Sequence, residues 1–493
     1  MSGADLEQRL ARISSVLARS ADPLHAPFAV EYRELDGESY LRQWEAAPPR
    51  AAGAAVLYVH IPFCARVCSY CLLSASNAPG KAQLEAYVAA LRRQIALFAP
   101  VARNLSFSSL HIGGGTPTLL GEQQLDELLA DLSVFSRADG FQIGVEAHPA
   151  TASAGKLGVL QRHGVDRVSF GVETFTPAVL RAVNRADQTA ERVASAVAAA
   201  KQCELAVNLD LLAGLPGEDE ASFAETVRLA LALEPDSMSV NRFLAENSPL
   251  AGDGYRPSDA DARRADRMLL DADRIIRERR PPRWPDRPLG VPGYGTQYVW
   301  HRDEKARPYF QQDMIGPSST LAFGQGGMGH LFGRFYSITA GTFTDYIAAL
   351  AAGRPPAMLV SAVTARFEAA FFVADRVCRD SLSLEDFASL FRVDLRHAFG
   401  RELDFLLARG LLAVSNGRLH KPLNRRFQVT HLLAFLALED DAIERALAGV
   451  DAGTPPAPVL QQYDLIEEEL PPTLLWCRMA IRASQAMRRS AAR

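Results

Sequence analysis

From Val56 to Phe243 short apolar runs alternate with longer segments of helical period. The short runs are Val56–Ile61, Ser109–Gly113, Gln142–Glu146, Arg167–Val172, Ala206–Ala213 and Ser237–Phe243, each of strand length and bounded by turn residues. Between them Lys81–Phe98, Glu122–Phe135, Ala152–His163, Ala190–Cys203 and Ala221–Ala232 repeat apolar positions at intervals of three and four, which predicts helices. Strands that alternate with helices predict a parallel sheet with the helices outside it. Right-handed crossovers curl such a sheet into a partial barrel, an α/β fold. Ligands then gather at the C-terminal ends of the strands.

The flanks follow other patterns. Ala4–Ala18 places Leu6, Leu10, Ile13 and Leu17 at helical spacing. Pro23–Pro48 is irregular, with a short helix around Ser39–Ala46. Asp259–Arg280 carries one apolar stripe (Met268, Leu269, Ala272, Ile275, Ile276) beneath a charged face, and Pro281–Pro292 reads as a linker or extended crossing segment. Residues 360–421 predict a small helical, winged-helix-like domain: Ser383 caps a helix over Leu384–Phe391, Leu395–Arg409 forms another, and Asn416-Gly417 turns a hairpin. The tail predicts helices over Val429–Leu438, Asp441–Ala448 and Leu474–Arg493. The expected division is a lead-in (1–50), a core barrel with a substrate segment (51–345), a winged-helix-like domain (346–425) and a helical tail (426–493).

Composition narrows the function classes. The 493 residues are 48% hydrophobic and 22% charged, ordinary for a globular chain, and the net charge of −4 advertises no nucleic-acid or membrane surface. No run of about 18 apolar residues predicts a membrane span. The first residues lack the apolar centre of a signal peptide, so a cytoplasmic location with reduced cysteines is expected. Cys203, Cys378 and Cys477 are scattered and read as packing residues.

Half of the six cysteines stand together as Cys64-x3-Cys68-x2-Cys71, on a loop closed off from a strand by Pro62. Structural zinc normally takes four ligands at paired spacing, and no fourth Cys or His stands nearby at such a distance, His60 preceding the loop. Disulfides would leave an odd cysteine, and buried structural cysteines rarely cluster so. An iron–sulfur cluster with one open iron suits three thiolates on one loop.

With its flank His60-Ile-Pro-Phe-Cys64, this loop resembles the cluster loop of the radical S-adenosylmethionine (radical SAM) superfamily. Within that superfamily it resembles the oxygen-independent coproporphyrinogen III oxidase-like family, which includes class C radical SAM methyltransferases. The resemblance implies a partial (β/α)6 radical SAM barrel. It also implies Cys64, Cys68 and Cys71 as ligands of a 4Fe–4S cluster, and one or two molecules of SAM. The implied reaction is reductive cleavage of SAM to a 5′-deoxyadenosyl radical. A small-molecule substrate and an external electron donor of flavodoxin or ferredoxin type follow from it.

Further motifs align with the family. Gly113-Gly114-Gly115-Thr116-Pro117 lets backbone approach a ligand closely. It is a tight turn in its own right, and the resemblance implies that it holds the amino and carboxylate ends of SAM. Glu146 aligns with an acid near the active centre, Asp210 with a ribose ligand and Leu212 with an adenine neighbour. Arg185 aligns with a SAM-binding arginine, while Glu173 stands where relatives have Gln. Tyr58 is either a core tyrosine or a residue approaching SAM; with Glu146 it is a candidate catalytic residue. His148 reads as structural. Substrate identity is expected in 290–340, with its glycine-rich stretch Thr320–Gly333. Leu73 replaces a cysteine usual in the porphyrinogen enzymes. That favours C-methylation, or related carbon-centred modification, of a bulky organic substrate. Porphyrinogen oxidation and haem binding or trafficking are the alternatives.

Overall fold

Six parallel strands form the centre of the molecule: β1 Ala55–Ile61, β2 Phe107–Gly114, β3 Arg137–Ala147, β4 Arg167–Glu173, β5 Ala206–Ala213 and β6 Ser237–Arg242. Between them lie the longer helices α1 Lys81–Phe98, α2 Glu122–Leu132, α3 Ala154–Arg162, α4 Ala190–Gln202 and α5 Glu220–Ala232, with a short helix Pro177–Ala182 before α4. The structure is a computed structural model that describes residues 3–19, 32–46, 55–71, 75–243, 245, 248–279, 291–293, 297–301, 318–379, 381–422 and 429–437. The alternating pattern read from the chain is thus the pattern of the fold, and Asp259–Arg279 forms the long helix expected after β6.

The strand side chains divide by parity, as the two-residue period of a strand requires. Leu57, Val59 and Ile61 of β1, Leu110 and Ile112 of β2, Val168 and Phe170 of β4, and Leu209 and Leu211 of β5 join one core with the covering helices. The alternate positions carry Tyr58, His60, His111, Glu146, Ser169, Asn208 and Asp210, which bond to one another on the inner side of the curved sheet.

The sheet is larger than the six strands expected. Among the described residues it has thirteen strands, because Thr320–Phe323, Met328–Leu331, Phe335–Thr339, Met358–Ala362 and Arg33–Leu35 continue it beyond β1. Gln297–His301 and Val291–Gly293 extend it antiparallel beyond β6. The glycine-rich stretch therefore contains two strands and the turn between them. Arg33–Leu35 is a strand inside a segment read as irregular, and Val291–Gly293 is one inside the segment read as linker or extended crossing. Such strands of three to five residues fall below the length at which alternation stands out. Gly324, at φ +95°, turns against β1: a Cβ there would lie 2.3 Å from the His60 carbonyl oxygen.

After Met358–Ala362 the chain forms helices Ala365–Arg379, Leu384–Phe391 and Leu395–Ala408 with a small sheet of Ser381–Ser383, Arg418–His420 and Ala413–Ser415. Ser383 caps its helix by accepting from the Asp386 amide, and Asn416 and Gly417 turn the hairpin at φ 49° and 69°. A second core joins Val56, Tyr58, Ala322 and Tyr336 to these helices, to Leu6, Leu10 and Ile13 of the N-terminal helix Gly3–Arg19, and to Val429–Ala437. Leu73, the tail helices beyond 437, and residues 281–290 and 302–317 of the linker and substrate segment lie outside the described residues. Among the described residues no helix is long and apolar enough to cross a membrane.

Candidate active site at the strand ends

The loop after β1 carries the three cysteines over the C-terminal edge of the sheet. It is braced at both flanks. Phe63 and Cys64 pair with Ser76 and Asn77, and Asn77 accepts from the Val67 amide at 2.9 Å. Asn184, left-handed at φ 62°, donates to the Val67 carbonyl at 2.8 Å, so the loop is tied to the turn that precedes Arg185. All three thiols are half-buried.

Each neighbouring strand end contributes a group. Gly115 donates to the Ile61 carbonyl at 2.7 Å and Thr116 to the Phe63 carbonyl at 2.8 Å, which lays the glycine turn along the cysteine loop. The glycines allow this closeness. A Cβ on Gly114 (φ +109°) would lie 2.6 Å from the His60 ring, and one on Gly115 would lie 2.6 Å from the Phe63 carbonyl oxygen. The Thr116 hydroxyl donates to Cys64 Sγ at 3.4 Å.

Glu146, on β3, accepts from His111 Nε2 at 3.1 Å and from the Gly114 amide at 2.9 Å. Burial alone would raise its pKa, but these bonds and the His111 and His60 rings outweigh it and leave the carboxyl lowered. Tyr58 Oη bonds His60 Nδ1 at 2.7 Å, and its ring stacks on His111. Asp210, on β5, accepts from Ser169 Oγ at 2.7 Å and from Asn208 Nδ2 at 2.8 Å. Burial raises its pKa. Leu212 lies with Tyr70 against the apolar cluster of Val179, Val183 and Leu215.

Glu173 and Arg185 meet beside the second cysteine. Glu173 sits at φ 65° at the end of β4, with an oxygen 3.9 Å from Arg185 Nη1. Burial pushes its pKa up to about 7 against the pull of Arg185, and Asp210 pushes it further. Arg185 Nη1 donates to Tyr70 Oη at 2.7 Å and to Cys68 Sγ at 3.4 Å; Nη2 donates to the Gly171 carbonyl and Nε to Gln188 at 2.9 Å. His148 lies at the edge of the rim; burial and Arg185 hold its pKa down at about 4.

The candidate cluster and SAM residues read from the sequence lie on this rim or beside it: Tyr58, Cys64, Cys68, Cys71, Gly113, Gly114, Gly115, Thr116, Glu146, Glu173, Arg185, Asp210 and Leu212. His111, Tyr70, Ser169, Asn208 and Gln188 were not anticipated. Polar residues at every second place within apolar strands were their signal for His111, Ser169 and Asn208; Tyr70 and Gln188 lie in loops, where period says nothing.

Among the described residues, no three His, Cys, Asp or Glu side chains converge as one bound ion would require. The donor set fits a cluster instead. Three thiols share one loop, and hydrogen-bond donors approach two of their sulfurs, from Thr116 and Arg185.

Residues 58–230 match the radical SAM superfamily. The chain is 37% identical over 209 residues to an oxygen-independent coproporphyrinogen III oxidase of Bradyrhizobium diazoefficiens, covering 42% of this chain and 46% of that protein. It is 41% identical over 192 residues to one of Pseudomonas aeruginosa, covering 37% and 41%. The matched region therefore spans less than half the length of these relatives. The structure of coproporphyrinogen III oxidase from Escherichia coli superposes with a TM-score of 0.66 at 24% identity, over 83% of this chain and 95% of that one, so the two share a fold.

Proposed function

We propose that this chain, which carries a radical SAM domain over residues 58–230, is an enzyme that cleaves S-adenosylmethionine reductively and uses the resulting 5′-deoxyadenosyl radical on a carbon of a small organic molecule. The observation that carries the proposal is the gathering of Cys64, Cys68 and Cys71, the Gly113–Thr116 turn, Glu146, Arg185 and Asp210 at adjoining strand ends. Cys64, Cys68 and Cys71 would hold a 4Fe–4S cluster, which supplies the electron for the cleavage when bound.

The chain's own groups do the binding. Glu146, kept ionised by His111 and the Gly114 amide, suits the ammonium end of an amino acid. Asp210, fixed by Ser169 and Asn208, presents a carboxyl group to ribose hydroxyls. Glu173 holds its proton up to about pH 7 and then donates as well as accepts, the double capacity of the Gln usual at this place. Leu212 and Tyr70 offer an apolar wall for adenine. Tyr58 and His60 close the floor beneath the turn.

As to substrate, oxidation of a coproporphyrinogen-like molecule is the reading the relatives favour, since those at 37% and 41% identity carry that name. C-methylation is the second reading, favoured by Leu73 in place of the cysteine usual in the porphyrinogen enzymes. An external one-electron donor is part of either.

The test is anaerobic. The reconstituted protein is given reductant, SAM and coproporphyrinogen III, and the products are quantified by mass spectrometry. 5′-Deoxyadenosine with loss of the porphyrinogen supports oxidation. S-Adenosylhomocysteine with a methylated acceptor supports the second reading. Haem bound stoichiometrically with neither nucleoside product would sink both. Replacing Cys64, Cys68 or Cys71 by Ala is expected to abolish the brown absorbance of the cluster, and a retained cluster would refute the ligand assignment.

A further inference from the structure

Arg185 is a buried guanidinium whose Nη1 donates both to Tyr70 Oη at 2.7 Å and to the sulfur of Cys68 at 3.4 Å. We infer that Arg185, locked by Tyr70 against Cys68 Sγ, is a positioning residue that sets the reduction potential of the metal cluster this loop holds. The inference rests on the reading of Cys64, Cys68 and Cys71 as cluster ligands and goes beyond it. It concerns the energy of the electron rather than the binding of the metal.

The guanidinium has little freedom to do otherwise. Four of its five N–H groups have acceptors: Gln188, Tyr70, Cys68 and the Gly171 carbonyl. Gln188 is itself buried and anchored to the Val172 carbonyl, so the Nε side is fixed to the end of β4. Tyr70 is fixed from the other side by the apolar cluster of Val179, Val183 and Leu215. The charge is therefore held in place before any cluster enters. Only one carboxylate, Glu173 at 3.9 Å, forms an ion pair with it among the described residues.

Reduction adds one negative charge, shared between the irons and their sulfurs. A fixed cation with an N–H aimed at one of those sulfurs stabilises the reduced form more than the oxidised one, and so raises the potential. The low dielectric of a buried site strengthens the effect. Among the described residues the hydrogen-bond donor to Cys64 is the neutral hydroxyl of Thr116, while Arg185 acts on that thiol through its charge without a hydrogen bond. The charged hydrogen bond is thus directed at Cys68 rather than Cys64.

The experiment is a potentiometric titration without SAM, following the electron paramagnetic resonance signal of the reduced cluster. Arg185→Met is expected to move the midpoint to a more negative potential at unchanged iron content. Arg185→Lys, which keeps the charge but loses the fork, should move it less. Tyr70→Phe, which keeps the guanidinium but releases it, should also lower it. Arg92→Met, on the outer face of α1, serves as the control and leaves it in place. A wild-type midpoint in Arg185→Met overturns the inference. Should that variant fail to retain a cluster, wild-type midpoints in both Arg185→Lys and Tyr70→Phe overturn it equally. If the wild-type protein takes up no cluster, the ligand reading itself fails and this inference falls with it.

Discussion

Glu218 carries a carboxyl group into the core just past β5, at 2% exposure. Thr174 and Thr176 donate to its Oε1, while Oε2 has no hydrogen-bond partner among the described residues. Burial pushes its pKa up to about 7 from an ordinary 4.5. The folded state therefore keeps a proton that the unfolded chain releases near pH 4.5. Between these values the folded state binds more protons, so stability falls as pH rises through the window and levels off above it. Glu218→Gln keeps the shape and the acceptor but cannot ionise. It is expected to be more stable than wild type at pH 8, by up to about 3 kcal/mol, with the advantage shrinking toward pH 5. Unfolding measured at both pH values decides this; a constant difference would refute it. Glu173 works in the same direction in the same window, so the variant keeps part of the wild-type slope.

Helix ends and strand parity carry the local structure. Asp394 accepts from the His397 amide at 2.8 Å and caps Leu395–Ala408, whose Leu395, Phe399, Leu403 and Leu406 enter the second core. Asp394→Ala leaves that amide without its side-chain acceptor and is expected to cost about 1 kcal/mol, with Asp394→Asn recovering most of it. Hydrogen exchange in 395–408 is the measurement, and unchanged protection in the alanine variant would count against the cap. Parity explains why the site residues were legible. On β1, β2, β4 and β5 the positions between the core residues are Tyr58, His111, Ser169 and Asp210. Tyr58, His111 and Ser169 are themselves buried, and a strand packed on both faces by apolar side chains would have shown no such polar positions.

The two large apolar cores among the described residues meet across β1. Its Leu57, Val59 and Ile61 belong to the core under the helices, and its Val56 and Tyr58 to the one shared with the C-terminal helices. A buried polar tie joins the sheet to the C-terminal helices. Glu368, on Ala365–Arg379, accepts from the Gly333 amide at 2.9 Å and pairs with His330 Nε2 at 2.7 Å, with both side chains under 5% exposed. Glu368→Ala strands the imidazole and the amide together. A loss of about 3 kcal/mol is expected, seen as a lower Tm, with Glu368→Gln losing less. A Tm equal to wild type would show that the apolar contacts alone hold the junction. Arg9, donating to the Phe435 carbonyl at 3.2 Å, ties helix Gly3–Arg19 to helix Val429–Ala437.

By itself the sequence determined the order of the six parallel strands and of the longer helices from 55 to 279, though not the short helix Pro177–Ala182, and the placement of the cysteine loop and glycine turn at strand ends. These are local properties, written in period, in proline and glycine, and in cysteine spacing. It also pointed to Glu173 as a departure, but an ionised carboxylate and a protonated one are the same letter. Only burial, against the pull of Arg185 and with Asp210 nearby, raises its pKa to about 7, where both forms are present near neutrality. The seven additional strands of the sheet were beyond it, because strands this short are specified by the partners they pair with rather than by their own composition. The partners of Asp210 came the same way: Ser169 lies 41 residues from it, and no periodicity reaches across that distance. Tertiary structure also set Arg185 against Cys68, 117 residues away, through the Asn184 turn and the Tyr70 hydroxyl. The sequence names the chemistry a residue can do, and only the closed fold supplies the neighbours that fix its charge and direction.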